Sequence, residues 1–487
     1  MRPSNSAWAR RCAELLIAAG FSDVVLSPGS RNSPLLVAFR RSSLRIHVIV
    51  DERAAGFFAL GLARAGGCPV ALCCTSGSAL TNLLPSLSEA FYSAIPLLVI
   101  SADRPPRLQA RGAPQTMAQV GVLGIFGGPT LSFSADEGLP TAARFEGSFR
   151  RLSSGLPAHI NVAFDEPLFD EYLASRDSTL DALKPLSPAL RRWEDVDFSG
   201  LEEERGIIVC GAGAAQNREE RSLILELAER LGWPVFAEAT SNLRFGPHHP
   251  ALVSGYEALI RGAQLEGLEP CRVLRFGRSS CVRTLSTWLM SLDEGCLLAV
   301  GEFVEPSDAE GRMGVWVKSR ASDYCEQALK HLPRQPSSDW LASWQRLEAK
   351  AQKRLSDLPK AWWEGAVARC LVAALAPETL LHVASSMPIR DLDAFASNKG
   401  LWLKVYANRG LNGIDGTLAS AAGEGCAHGQ TPMVVLIGDL AFLYDASSLP
   451  LLQNLNATVV VVDNAGGGIF AHLPAASSLP CTPPCAP

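Results

Sequence analysis

Residues Val434–Phe470 read VVLIGDLAFLYDASSLPLLQNLNATVVVVDNAGGGIF. Two near-continuous apolar runs stand in this stretch; one closes on Gly438-Asp439 and the other on Asp463-Asn464. Runs of this kind belong to strands buried on both faces of a parallel sheet. The helix-sized stretch between them returns the chain beside its start, as a strand–helix–strand crossover does. Asp439 and Asn464, 25 positions apart, thereby reach one sheet rim. A carboxylate, an amide oxygen and the backbone carbonyl near Gly466 are oxygen donors that suit one hard cation, such as magnesium holding a diphosphate. Gly466, Gly467 and Gly468 let backbone approach a phosphate closely. The plainer reading is that Asp439 caps a helix and NAGGG is a turn, but two paired strand ends favour the metal.

The strand rhythm extends outward from there. DVVLS, RIHVIV, PVALCC, PLLVIS and HINVAF alternate with helix-like segments in the first part of the chain. GIIVCGAGA, WPVFAEA, RVLRFG, CLLAVG and VWVKS repeat the pattern in the middle, and TLLHVAS, WLKVYAN and the two runs above close it. Such alternation predicts α/β domains with mostly parallel sheets flanked by helices. A chain of 487 residues exceeds one hydrophobic core, since domains commonly hold about 100–200 residues. The charged, proline-bearing segment LKPLSPALRRWEDVDFSGLEEERG and the punctuation RQPSSDW divide it into expected domains at 1–186, 187–335 and 336–487. CGAGAAQN, Cys210–Asn217, lacks the third glycine and the ribose-binding acid of a dinucleotide fingerprint and reads as a structural turn.

Composition narrows the class. A formal charge of −5 with 19% charged residues gives no electrostatic footprint for nucleic acid. No apolar run approaches the roughly 18 uncharged residues of a membrane span, and CAELLIAAGF carries Glu14 inside an amphipathic helical pattern. The 13 cysteines are scattered without CxxC pairs and mostly lie in apolar runs. They read as small buried hydrophobes of a reducing, cytoplasmic compartment, without disulfides or zinc.

Loops at the carboxyl ends of strands are where open α/β sheets bind ligands. Leu26–Leu35, LSPGSRNSPL, presents hydroxyls and Arg31 in such a turn. Arg31, Arg104, Arg390 and Arg409 all follow strand-like runs. The guanidinium fork donates two parallel hydrogen bonds to a carboxylate and keeps its charge when desolvated. For any one of them alone, a solvated surface arginine is the plainer reading.

The Gly-Asp and Asn-containing loop resembles the diphosphate-binding motif of thiamin diphosphate enzymes. SPGSRNSPL, DERAAGFFALGLA, TSGSALTNLLPSLSEA, SADRPP, HINVAFDEPL, SSMPIRDLD, ANRGLNGIDG and GDLAFLYD resemble the menaquinone-pathway synthases that make 2-succinyl-5-enolpyruvyl-6-hydroxy-3-cyclohexene-1-carboxylate. The resemblance covers residues 1 to about 474. It implies a pyrimidine-binding, a central and a diphosphate-binding domain, with thiamin diphosphate and Mg2+, or Mn2+, as cofactors. It implies 2-oxoglutarate and isochorismate as substrates, and a homodimer or homotetramer. Glu52 matches the carboxylate that contacts N1′ of the cofactor pyrimidine; an acid offsetting a helix dipole is the alternative for that residue. Ile414, Gly438, Asp439, Leu440, Asn464, Gly466 and Gly467 match cofactor-binding positions, with Asp439, Asn464 and Gly466 on the metal. Ser30, Arg31, Arg104, Gln115, Arg283, Arg390, Arg409, Ile469 and Phe470 match substrate-binding positions.

The chain departs from the family at three places. Pro114 stands where asparagine is usual, Arg283 takes the place of a lysine, and AHLPAASSLPCTPPCAP replaces a longer ending. With five prolines from Pro474 to Pro487, that tail cannot complete a sheet. A truncated or frameshifted third domain, with reduced stability and weak or absent activity, is the resulting expectation. Another thiamin diphosphate carboligase and an inactive cofactor-binding homologue are the competing functional readings.

Overall fold

The computed structural model describes residues 4–168, 198, 200–265, 267–333, 339–359 and 361–472. The boundaries expected near 186 and 335 and the proline-rich ending lie outside the described residues. The chain forms two compact units, both discontinuous in sequence. The first comprises Met1–Arg191, Asn408–Gln430 and Tyr444–Asn456, and the second Arg192–Ala407, Thr431–Leu443 and Ala457–Pro487.

In the first unit the strands are β1 (Asp23–Leu26), β2 (Arg45–Val48), β3 (Val70–Cys74), β4 (Leu97–Asp103), β5 (Leu131–Ser134) and β6 (Ala158–Ala163). They form one parallel sheet in the order β2-β1-β3-β4-β6-β5. Trp8, Phe39, Phe133, Phe145 and Phe164 are part of one core, in which Trp8 meets Phe133 and Phe164 edge-on and Phe133 meets Phe145 likewise. Sequence reading found every strand but β5, whose LSFS is too short and too polar to stand out.

The second unit holds two sheets. β7 (Gly206–Cys210), β8 (Val235–Ala237), β9 (Leu252–Val253), β10 (Arg272–Phe276), β11 (Leu297–Val300) and β12 (Met313–Val317) pair in the order β12-β11-β10-β7-β8-β9. β13 (Leu380–Val383), β14 (Lys404–Tyr406), β15 (Met433–Gly438) and β16 (Ala457–Val462) pair as β14-β13-β15-β16. Every pairing in all three sheets is parallel, so the loops after the strands of each sheet meet at one rim. The α/β expectation is met. One detail differs: β15 is buried along its length, but β16 is an edge strand among the described residues, and its valines are half-buried to exposed. A strand with one hydrogen-bonded neighbour has no second strand to cover it. In the turn at Cys210–Asn217 a Cβ on Gly211 would stand 2.1 Å from the Arg278 carbonyl oxygen, so glycine there meets a packing requirement.

One helix pair organises the first unit. Helix Glu52–Gly66 is capped by Asp51, whose Oδ1 accepts the Ala54 N–H at 3.2 Å, and it ends at left-handed Gly67. It packs against helix Thr417–His428 with backbones in near contact. A Cβ on Gly61 would lie 2.0 Å from the Ser420 carbonyl oxygen, and one on Gly423 would lie 2.1 Å from that of Phe58. Gly61→Ala should therefore lower the free energy of urea unfolding by about 1–3 kcal/mol, the usual range for overpacking. An unchanged unfolding midpoint would contradict the packing described.

Candidate active site

The rim of the first sheet carries buried polar groups that find no partner among the described residues. After β1, the SPGSR turn is folded back on itself: Asn32 Oδ1 accepts the Gly29 N–H at 2.9 Å, and its Nδ2 donates to the Ser27 carbonyl at 2.9 Å. Arg31 is buried, donating through Nη1 to the Phe164 carbonyl at 2.9 Å and through Nη2 to Glu166 Oε1 at 3.2 Å. Among the described residues its Nε finds no hydrogen-bond partner, nor do Ser27 Oγ, Thr75 Oγ1 and Arg104 Nε. These four atoms belong to the ends of β1, β3 and β4, which are adjacent in the sheet. A buried polar group left unpaired costs about 1–3 kcal/mol, so their concentration at one rim makes it a candidate ligand surface. Ser30 is exposed beside them. Gln115 is exposed too, at φ 56°, with Nε2 donating to the Ser76 carbonyl at 3.2 Å.

Glu52 opens its helix at the end of β2. Because Asp51 does the capping, the Glu52 carboxylate is left to accept from Asn82 Nδ2 at 3.3 Å. The loop Asn408–Gly416 leads into helix Thr417–His428 and carries Arg409 and Ile414. Arg409 is half-buried and makes no hydrogen bond or ion pair to a described residue, and Ile414 is 36% exposed. Beyond the loop, buried Asp445 accepts the Leu418 and Ala419 N–H groups at 2.8 and 3.1 Å and pairs with Arg53 at 3.1 Å. Burial still pushes its carboxyl above the usual range, despite those amides, the Ser448 hydroxyl and the guanidinium.

In the second unit, the β15–β16 register sets Gly438 opposite Val462 and so brings Asp439 to the Asn464–Gly468 loop. Asp439 Oδ2 accepts the Gly466 N–H at 2.7 Å, and Oδ1 accepts that of Leu440 at 2.7 Å. Ala465, Gly466 and Gly467 take φ of 60°, 88° and 70° in succession, a left-handed path on which glycine carries no Cβ penalty. Asn464 donates through Nδ2 to Glu364 Oε1 at 3.1 Å, and its Oδ1 accepts the Gly468 N–H at 3.4 Å. Ile469 is half-buried and Phe470 is 49% exposed next to Gly467. Leu440 is 38% exposed. Oxygen donors with remaining lone pairs, beside a glycine path open to backbone approach, fit a magnesium-held diphosphate.

Residues 8–122 match the family described as thiamine pyrophosphate enzyme, N-terminal TPP binding domain. The chain is 34% identical to the 2-succinyl-5-enolpyruvyl-6-hydroxy-3-cyclohexene-1-carboxylate synthase of Bacillus velezensis, over 94% of this chain and 82% of that protein. It is 36% identical to the synthase of the same name from Geobacillus kaustophilus, over 98% and 86% of the two chains. The corresponding values for the Myxococcus xanthus synthase are 37%, 98% and 85%. The chain belongs to the 2-succinyl-5-enolpyruvyl-6-hydroxy-3-cyclohexene-1-carboxylate synthase family. It is an enzyme of the thiamin diphosphate class.

Within this synthase family frame, Asp439, Asn464 and Gly466 come together, while Ser30, Arg31 and Arg104 follow β1 and β4 at one rim of the first sheet and Gln115 bonds Ser76 after β3. Arg390 is exposed and donates to the Ser386 carbonyl at 2.5 Å, one turn back on its own helix. Arg283 is exposed at the start of the helix that follows β10, in a different sheet from Asp439. Sequence reading missed Asn82 and Glu364, each the partner of a site residue, because neither stands in a pattern that distinguishes it from a solvated polar residue. It also missed Asp391, which is buried on helix Met387–Phe395.

Burial, together with the charges of Glu364 and Glu257, raises the Asp391 carboxyl from 3.8 to about 7. An acid raised on folding binds its proton more tightly folded than unfolded, so it withdraws stability as pH climbs from about 4 through 7. Metal-free protein should therefore lose stability across that window, and Asp391→Asn should flatten the fall. Identical stability–pH profiles for the two proteins, measured by urea titration, would contradict this.

Proposed function

We propose that the enzyme decarboxylates 2-oxoglutarate and adds the succinyl unit to isochorismate by 1,4-addition, giving 2-succinyl-5-enolpyruvyl-6-hydroxy-3-cyclohexene-1-carboxylate. The observation that carries this reading is the set of unpaired buried donors on Ser27, Arg31, Thr75 and Arg104 at one sheet rim. Both substrates are polyanions at neutral pH, and guanidinium N–H groups with hydroxyls are the donors that carboxylates need. The names of the relatives give the same product.

Bound thiamin diphosphate would supply the carbon nucleophile and hold the electron pair released with carbon dioxide. Asp439, Asn464 and the backbone at Gly466 would hold its diphosphate through Mg2+, with Mn2+ as the alternative ion. Gly438, Leu440 and Gly467 would line that diphosphate. Glu52 would exchange a proton with the pyrimidine N1′, its carboxylate steadied by Asn82. Ile414 would press on the cofactor from an apolar side. Arg31, Arg104 and Arg409 would bind substrate carboxylates, with Ser30 and Gln115 donating at the margin. Arg283, Arg390, Ile469 and Phe470 would complete the substrate surface, Arg283 in place of the family's lysine. The family's domain plan supports a reading as three domains, at 1–186, 187–335 and 336–487, assembled as a homodimer or homotetramer in the cytoplasm.

The test is turnover by purified protein with thiamin diphosphate, magnesium, 2-oxoglutarate and isochorismate. Isochorismate should disappear as a product forms with the mass of both substrates less carbon dioxide. Arg104→Ala should lower kcat/KM by at least about thirtyfold, since removing one partner of a buried charged pair costs about 2–5 kcal/mol. Turnover of pyruvate but not of 2-oxoglutarate would instead place the enzyme with acetolactate-type carboligases. Cofactor binding without turnover of either acid would make it a binding homologue.

A further inference from the structure

Glu89 lies in the middle of helix Leu84–Ser93 and is only 3% exposed. A buried carboxylate must be met by donors or surrender its charge. The donors here are backbone. Glu89 Oε1 accepts the Gly410 N–H at 2.6 Å, and Oε2 accepts the Leu411 N–H at 2.6 Å. Ser93 Oγ adds a bond to Oε1 at 2.9 Å, and Arg64 Nη2 stands 4.0 Å from the same oxygen. That guanidinium is itself fixed, donating to buried Glu424 at 2.8 Å and to Asn408 Oδ1 at 3.0 Å.

The loop is pressed on the helix closely enough to exclude a side chain. A Cβ on Gly410 would stand 2.7 Å from the Glu89 carbonyl oxygen. Two consecutive amides held by one carboxylate fix both the position and the orientation of the peptide between them. Arg409 directly precedes that grip, and its half-buried guanidinium makes no hydrogen bond or ion pair to a described residue. A cleft of about 130 Å³, lined by Phe57, Ser88, Glu89, Asn408, Leu411 and Asp415, adjoins the grip. The loop therefore has room to swing once released.

We propose that Glu89 is a positioning residue, which aims Arg409 by holding the amides of Gly410 and Leu411. This rests on the reading of Arg409 as a ligand for a substrate carboxylate. Glutamine at this position keeps one acceptor but turns N–H groups toward the second amide, so it retains volume and loses the two-point hold.

The experiment combines hydrogen exchange on the holoenzyme with a double-mutant cycle on steady-state kinetics. Glu89→Gln should speed amide exchange in the segment holding Gly410 and Leu411 by about tenfold. It should raise KM for 2-oxoglutarate by about tenfold, with kcat and thiamin diphosphate affinity within about threefold, because a misplaced ligand group weakens one substrate and not the cofactor. In an Arg409→Ala background the same substitution should change KM by less than about twofold, because the two residues act in series. Unchanged exchange in Glu89→Gln would overturn the grip. Additive effects on KM, or an equal loss of cofactor affinity with a lowered Tm, would reduce Glu89 to a structural residue and overturn the aiming role. An Arg409→Ala variant with normal KM would overturn the reading of Arg409 itself, a failure distinct from either.

Discussion

Helix Glu52–Gly66 lies against helix Thr417–His428 with only glycines separating backbone from backbone at Gly61 and Gly423. Much of the first unit hangs on that contact. At one end it sets Glu52, with Asp51 as cap and Asn82 as neighbour. On the other helix it sets the Asn408–Gly416 loop, which is tied at its two ends by buried carboxylates. Glu89 takes the amides of Gly410 and Leu411, and Asp445 takes those of Leu418 and Ala419. The Arg53–Asp445 pair then links the residue after Glu52 to the start of the second helix. Removing one partner of such a buried pair is strongly destabilising, because the other charge is left uncompensated. The same contacts that stabilise the unit thus determine where Glu52 and the Arg409 loop stand.

The second unit solves a different problem with simpler means. Parallel pairing of β15 and β16 brings an aspartate and a glycine-rich loop to one rim, and register does the rest. Buried carboxylates recur behind it. Asp393 is enclosed with Arg244 at 3.0 Å, and Asp391 is raised by burial and by neighbouring acids. A bound cation at Asp439 would add positive charge to a region rich in carboxylates, which connects metal binding to stability in this unit.

Much of this was legible in the sequence because parallel strands buried on both faces leave unbroken apolar runs, and MVVLIGD is the clearest of them. Asp439, Asn464 and the arginines at strand ends followed from the same rule about carboxyl ends. The strand β16 carries an equally apolar run but stands at an edge, since hydropathy reports composition and not the number of neighbours. LSFS of β5 was invisible because four mixed residues carry no period. Asn82, Glu89, Glu364 and Asp445 were not legible as candidate site residues, for their meaning lies in a partner from 26 to more than 300 positions away. The amides of Gly410 and Leu411 leave no trace in residue type at all.

The proposed function requires Asp439 and the Asn464–Gly468 loop to hold a diphosphate through a divalent cation. Calorimetric titration of thiamin diphosphate tests it most directly, comparing wild type and Asp439→Ala, each with magnesium and with chelator. The account predicts heat of binding only for wild type with magnesium, and its loss in the other three titrations. Equal affinity with and without the cation, or an Asp439→Ala protein that binds as wild type does, would contradict it.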